Sequence, residues 1–205
     1  VGWKAMACTC SSGSISRLGT MLANLKGNSS KASSLGWPGC MGRLDWTLMR
    51  DGAITLYFQM AGLERDLSWL REHGYRVLTI DCQDLPAFYR QVSTALHFME
   101  NFGDSDWTGN LDALDDAFRC LEIDSEGGLV FCLLRYNLLK AADPRLAQGV
   151  LDMIEWHSRD YLLLGRRLLA LVQSDDPRIQ FDPLGARCAR WNRREQFDRD
   201  RGLTG

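Results

Sequence analysis

Three aspartates within five residues are the side chains of this sequence best placed to do chemistry. They lie in Trp107-Thr-Gly-Asn-Leu-Asp-Ala-Leu-Asp-Asp-Ala-Phe-Arg-Cys-Leu121. At about 100° per residue, a helix over this stretch gathers Leu111, Leu114, Ala117, Phe118 and Leu121 on one face. Asp112, Asp115 and Asp116 then cluster on the other. Asn110 is well placed as the N-cap, and carboxylates in the first turns meet the positive end of the helix dipole. Their mutual repulsion still opposes stability, so the cluster needs water or a cationic partner. On pattern alone the uses open to it are a solvated acidic helix start, a carboxylate pair of the glycosidase kind and a metal site. No sugar cleft is legible, and no His or second acidic cluster stands beside the three. The solvated helix start is the commonest meaning of such a pattern.

The remaining reactive residues are scattered. His73, His97 and His157 lack metal-ligand spacing; His73 reads as a cation at a helix C-terminus, the other two as surface or half-buried helix residues. Cys8-Thr-Cys10 is one residue too tight for a Cys-x-x-Cys knuckle. No P-loop, dinucleotide glycine fingerprint, Gly-x-Ser-x-Gly elbow or His-Glu-x-x-His occurs. Neither a metal nor a cofactor is therefore expected, and the prior for catalysis is lowered. Arg187-Cys-Ala-Arg-Trp-Asn-Arg-Arg194 is basic, but Glu195, Asp198 and Asp200 follow it, so it reads as a solvated surface helix.

The elements that must position the acidic helix follow from periodicity. Ala53–Phe58 is rich in β-formers and predicts a strand. Leu63, Leu67 and Leu70 at helical spacing predict a helix over 62–73, stopped by Gly74. Tyr75–Asp81 is a second strand. Asp84 caps a helix with Pro86 in its first turn and Phe88, Val92, Ala95 and Leu96 inward. A loop over 101–109 leads to the acidic helix. Leu129–Arg135 is a continuous apolar run, as in a parallel strand covered on both faces. Pro144–Gln173 reads as two helices or one broken helix, with Arg166 and Arg167 snorkelling from it. Arg178–Phe181 is expected as a last short strand. Strands alternating with helices predict an α/β fold with parallel pairing.

The chain has 205 residues, 45% of them hydrophobic, enough for one domain over 45–205 plus an appendage. Residues 1–44 carry five cations and no acid, whereas 45–205 hold 19 cations and 26 anions, a net −7. An acidic body repels phosphate backbones, so no direct nucleic-acid binding is expected; a basic protein would be attracted. The longest apolar stretches are too short to cross a bilayer, so no membrane partner is expected. Residues 1–44, rich in Ser and Gly, read as a poorly ordered extension. Their composition also fits a transit peptide, or sequence upstream of a natural start near Met41 or Met49. No apolar core of a signal peptide follows Lys4. Seven scattered cysteines read as reduced thiols of a cytoplasmic protein.

The run Trp107-Thr-Gly-Asn-Leu-Asp-Ala-Leu-Asp-Asp116 resembles the signature of the barstar family of ribonuclease inhibitors, with Asn-Leu-Asp-Ala-Leu its most specific part. The resemblance covers roughly Ala53 to Phe181, extending toward Arg194, and Leu168–Phe181 looks like a longer bacterial branch. It implies a small parallel sheet of three to four strands flanked by helices, with 53–73 as an extra N-terminal strand–helix unit. It also implies an immunity-type inhibitor of a small basic, barnase-like ribonuclease, with no small-molecule substrate. In such proteins the acidic helix and its preceding loop plug the nuclease active site. Asp112 and Asp116 fall on the two acidic positions, Asp116 as the dominant anchor; Asn110, Gly109, Asp115 and Trp107 complete the implied contact set. Asp115 stands where the family carries an aromatic. Trp107 is left to rest on the nuclease or pack against its own helix. Two other classes stay open: an interaction module for a different basic partner, and an α/β enzyme using Asp112 and Asp116 as acid and base.

Overall fold

The computed structural model describes residues 43–103, 106–124, 126–185 and 187–203. The expected disorder of 1–44 thus falls almost wholly outside the described residues. In chain order the elements are α1 (Leu44–Met49), β1 (Ile54–Tyr57), α2 (Met60–Glu72), β2 (Tyr75–Asp81), α3 (Leu85–Ala95) and α4 (Phe98–Phe102). They continue with α5 (Leu111–Arg119), β3 (Gly128–Leu134), α6 (Tyr136–Ala142), α7 (Pro144–Leu163), β4 (Leu168–Gln173) and β5 (Arg190–Trp191). Two 3₁₀ turns, Arg193–Glu195 and Asp198–Arg201, follow.

The fold is α/β, as expected, but its sheet has five strands rather than three or four, in the order β2-β3-β4-β1-β5. Every pairing is parallel. Side chains alternate between two cores. Ile54, Leu56, Ile80, Leu129, Phe131, Leu133, Leu168, Ala170 and Val172 face α3, α5, α6 and α7. Tyr57, Tyr75, Val130, Cys132, Leu169 and Leu171 face α1 and α2. Strands buried on both faces must be apolar at every position, which is why β3 and β4 read as unbroken runs. The extra unit, α1 through α2, supplies β1 to the sheet and the cover for its second face.

Four local readings are corrected. Pro144–Gln173 is one helix and one strand: α7 ends at Leu163, Gly165 turns with φ +72°, and β4 begins at Leu168. Arg167 does not snorkel from a helix. Its side chain is 12% exposed and donates from Nε to Gly127 O and from Nη2 to Glu126 O, both at 2.8 Å, tying the start of β3 to that of β4. Arg178–Phe181 is not a strand, because Asp176 folds the chain back on itself, its Oδ1 accepting from Arg178 N at 2.9 Å. The basic tail is not a surface helix. Arg190 and Trp191 pair with Thr55 and Leu56 as the short edge strand β5.

Buried acids lock the extra unit in place. Asp45, fully buried, accepts from Tyr75 Oη at 2.8 Å and Trp46 N at 2.9 Å, and pairs with Arg43. Burial pushes its carboxyl upward, but these bonds outweigh it and hold the group below the usual carboxylate range. Glu155 of α7, also buried, accepts from Ala53 N at 2.6 Å just ahead of β1. Among the described residues no buried side-chain polar atom lacks a partner.

Candidate functional site

The acidic helix forms as its sequence predicts. Asn110 caps α5, its Oδ1 accepting from Asp112 N at 2.9 Å, and Leu114, Ala117 and Phe118 are buried beneath it. What the sequence does not reveal is how firmly α5 is fixed. Trp107, left open between partner and interior, is 2% exposed and so is not available to a partner. Its ring packs edge-on to Phe88 and Tyr89 and beside Phe98. Its Nε1 donates to Asn110 O at 2.6 Å, and its backbone N–H donates to Ser93 Oγ, also at 2.6 Å. The indole therefore anchors the capping residue itself. Gly109, between them, has φ +93°, and a Cβ there would meet Tyr89 Oη at 3.0 Å. Only glycine suits that turn.

The far end of α5 is held by α7. Tyr161 Oη donates to Phe118 O at 2.7 Å or Leu121 O at 2.9 Å, fastening the C-terminal turn of α5 to α7. At the start of α5, α7 presents Gly149 to Leu111, where an added Cβ would stand 2.5 Å from Leu111 Cδ1. The two helices approach closely because that position has no side chain.

The three carboxylates do not share one environment. Asp115 turns toward α7: its Oδ1 lies 2.7 Å from His157 Nε2 and its Oδ2 2.5 Å from Arg119 Nη2. His157, expected at or near the surface, is 3% exposed and stacks on Phe118 with ring centroids 5.5 Å apart. Asp115 thus has internal partners that compete with any outside cation. Asp112 and Asp116 are exposed, and neither carboxylate has a hydrogen-bond or ion-pair partner among the described residues. One turn apart on a fixed helix, they present two negative charges outward. Asn110 is exposed beside them and Gly109 half-buried.

His157 and Tyr161 are the residues that sequence reading missed. Both act from 40 or more positions away, and no short-range pattern couples them to α5. Among the described residues, no group of three or more His, Cys, Asp or Glu side chains is placed to hold a metal ion. No helix is long and apolar enough to cross a membrane.

A family model described as barstar (barnase inhibitor) matches residues 73–173, the stretch from the end of α2 through β4 with α5 near its middle. No curated protein and no solved structure matches the chain.

Proposed function

We propose that this chain, barstar-like over residues 73–173, is an inhibitor of a small basic ribonuclease, acting by binding and without turnover. The observation that carries this reading is the contrast within α5. Asp115 is tied to His157 and Arg119, while Asp112 and Asp116 stand exposed and unpaired on a helix pinned at both ends. A ribonuclease active site is built from cations that receive phosphate. Two carboxylates one helical turn apart can occupy that place and accept charge-assisted hydrogen bonds there. Because α5 is already ordered, little conformational entropy is lost on binding. The −7 charge of 45–205 adds long-range attraction for a basic partner. In this reading the protein works in the cytoplasm, where thiols such as those of the buried Cys82 and Cys132 stay reduced.

Asp116 is the dominant anchor in this reading, Asp112 the second, with Asn110 and Gly109 beside them at the contact. Asp115 contributes charge at the margin, and Trp107 acts only by holding the loop. The test is inhibition of barnase by the full chain, wild type beside Asp116→Ala and Asp112→Ala, at low and physiological salt. Wild type is expected to inhibit, with association slowed by added salt. Removing one partner of a buried, hydrogen-bonded charge pair costs about 2–5 kcal/mol. Asp116→Ala should therefore weaken binding by more than about tenfold, and Asp112→Ala by less. Wild-type inhibition that survives both substitutions unchanged would remove α5 as the inhibitory surface.

A further inference from the structure

The basic tail that the inhibitor reading does not use forms part of a cleft of about 540 Å³ at the β5 edge of the sheet. Every residue lining it lies outside 73–173, so the barstar-like segment does not account for it. Arg50, Arg190, Arg193 and Arg194 supply its cations, and Leu48, Ile54 and Trp191 are among its apolar walls. The acids that follow these arginines in sequence are all engaged elsewhere. Glu195 turns inward, accepting from Phe58 N at 2.6 Å and Gln59 N at 3.1 Å. Asp198 takes Arg201 at 2.6 Å. Asp200 accepts from Phe197 N at 3.2 Å and lies 3.6 Å from Arg199.

The guanidinium groups of Arg190, Arg193 and Arg194 make no hydrogen bond and no ion pair within 4.0 Å among the described residues; Asp51 acts on Arg190 and Arg193 only at longer range. Two carboxylates also line the cleft. Asp51 is bonded to Arg50 at 2.8 Å. Asp66 is buried, accepting from Tyr57 Oη and Asn192 Nδ2, both at 2.9 Å. Four guanidinium groups against two engaged carboxylates leave a local surplus of positive charge on an otherwise acidic body.

The backbone that presents these arginines is fixed. Asn192 is buried, receives Arg194 N on its Oδ1 at 3.1 Å, and donates its own N–H to Leu56 O at 2.8 Å. Arginine forks match phosphate oxygens in geometry as well as charge, and a cleft of this size holds a small molecule. A long polyanion would be repelled by the −7 body, whereas a compact anion need only meet the local surplus. We propose that this cleft binds a compact phosphate-bearing ligand of nucleotide size, its phosphate on Arg190, Arg193 and Arg194 and its body against Trp191 and Ile54.

The test is calorimetric titration of the full chain with adenosine 5′-monophosphate, pyrophosphate, inorganic phosphate and adenosine at about 0.15 M salt. The double variant Arg193→Gln/Arg194→Gln is titrated beside wild type. So is Arg199→Gln, which removes a neighbouring charge that does not line the cleft. Saturable binding of the monophosphate, tighter than that of adenosine or inorganic phosphate, is expected. The double variant should weaken it by about tenfold or more, and Arg199→Gln should leave it unchanged. No saturable binding by any phosphate probe at millimolar concentration would overturn the proposal. An equal loss in Arg199→Gln would do so too, by marking diffuse attraction, as would adenosine binding as tightly as its phosphate.

Discussion

Trp107 sits nine residues before Asp116, and the two divide the work of the acidic helix: one holds, the other is held out. With 2% of its surface exposed and its Nε1 on Asn110 O, the indole fixes the residue that caps α5. Trp107→Ala should lower stability by about 3–5 kcal/mol, the usual cost of emptying a buried aromatic site, read as a lower urea midpoint. Trp107→Phe should recover much of the packing but not the Asn110 contact. The acidic face was legible in sequence because helical spacing of three and four residues suffices to place Asp112, Asp115 and Asp116 together. Trp107 was not, since an aromatic beside a loop glycine looks the same whether it faces a partner or the core. Nor was the separate fate of Asp115, which depends on His157, 42 positions away in the chain.

At the scale of elements, local pattern placed β1, α2, β2, α3, α5 and β3 close to their observed ends, because caps and periodicities are short-range. It failed where burial removes periodicity. Leu168–Gln173 is apolar at almost every position, and such a run continues the helix before it as plausibly as it starts a strand. It failed again at β5, two residues long, whose pairing with β1 rests on contacts made from beyond the strand. Glu195 is the chief of these. Gln59, which precedes α2, makes no side-chain cap of its own; Glu195 accepts the Phe58 and Gln59 amides from about 136 positions later. Glu195→Ala leaves both amides without that acceptor. It should cost about 2–3 kcal/mol, as for a hydrogen bond to a charged group. It should also speed amide exchange at Phe58, Gln59 and Asn192 more than in β3. Uniform exchange across all five strands in the variant would mean that β5 is not fastened through this carboxylate.

The molecule as a whole is a sheet covered on both faces, and its interior holds thiols and phenols whose ionisation burial opposes. Burial pushes the Cys132 thiol up to about 11 from 9.0. It raises Cys82 and the phenols of Tyr57, Tyr75 and Tyr136 as well, desolvation being the largest cause for each. These groups lie on both sides of the sheet, so alkaline unfolding should be a property of the whole core. Above their ordinary values the unfolded chain gives up protons that the folded one retains, so stability falls as pH rises. The contribution of Cys132 is fully present below about pH 9 and is lost as pH climbs through 11. Urea unfolding followed from pH 8 to pH 11 should show constant stability up to about pH 9 and a steepening decline beyond it. One proton difference corresponds to about 1.4 kcal/mol per pH unit, which is the most that any single thiol adds to the slope. Cys132→Ala should make the decline between pH 9 and pH 11 shallower by up to that amount, whatever it does to stability at pH 7. A slope unchanged by the substitution would mean that the Cys132 thiol ionises as readily in the folded sheet as in the unfolded chain, contrary to its burial between β2 and β4.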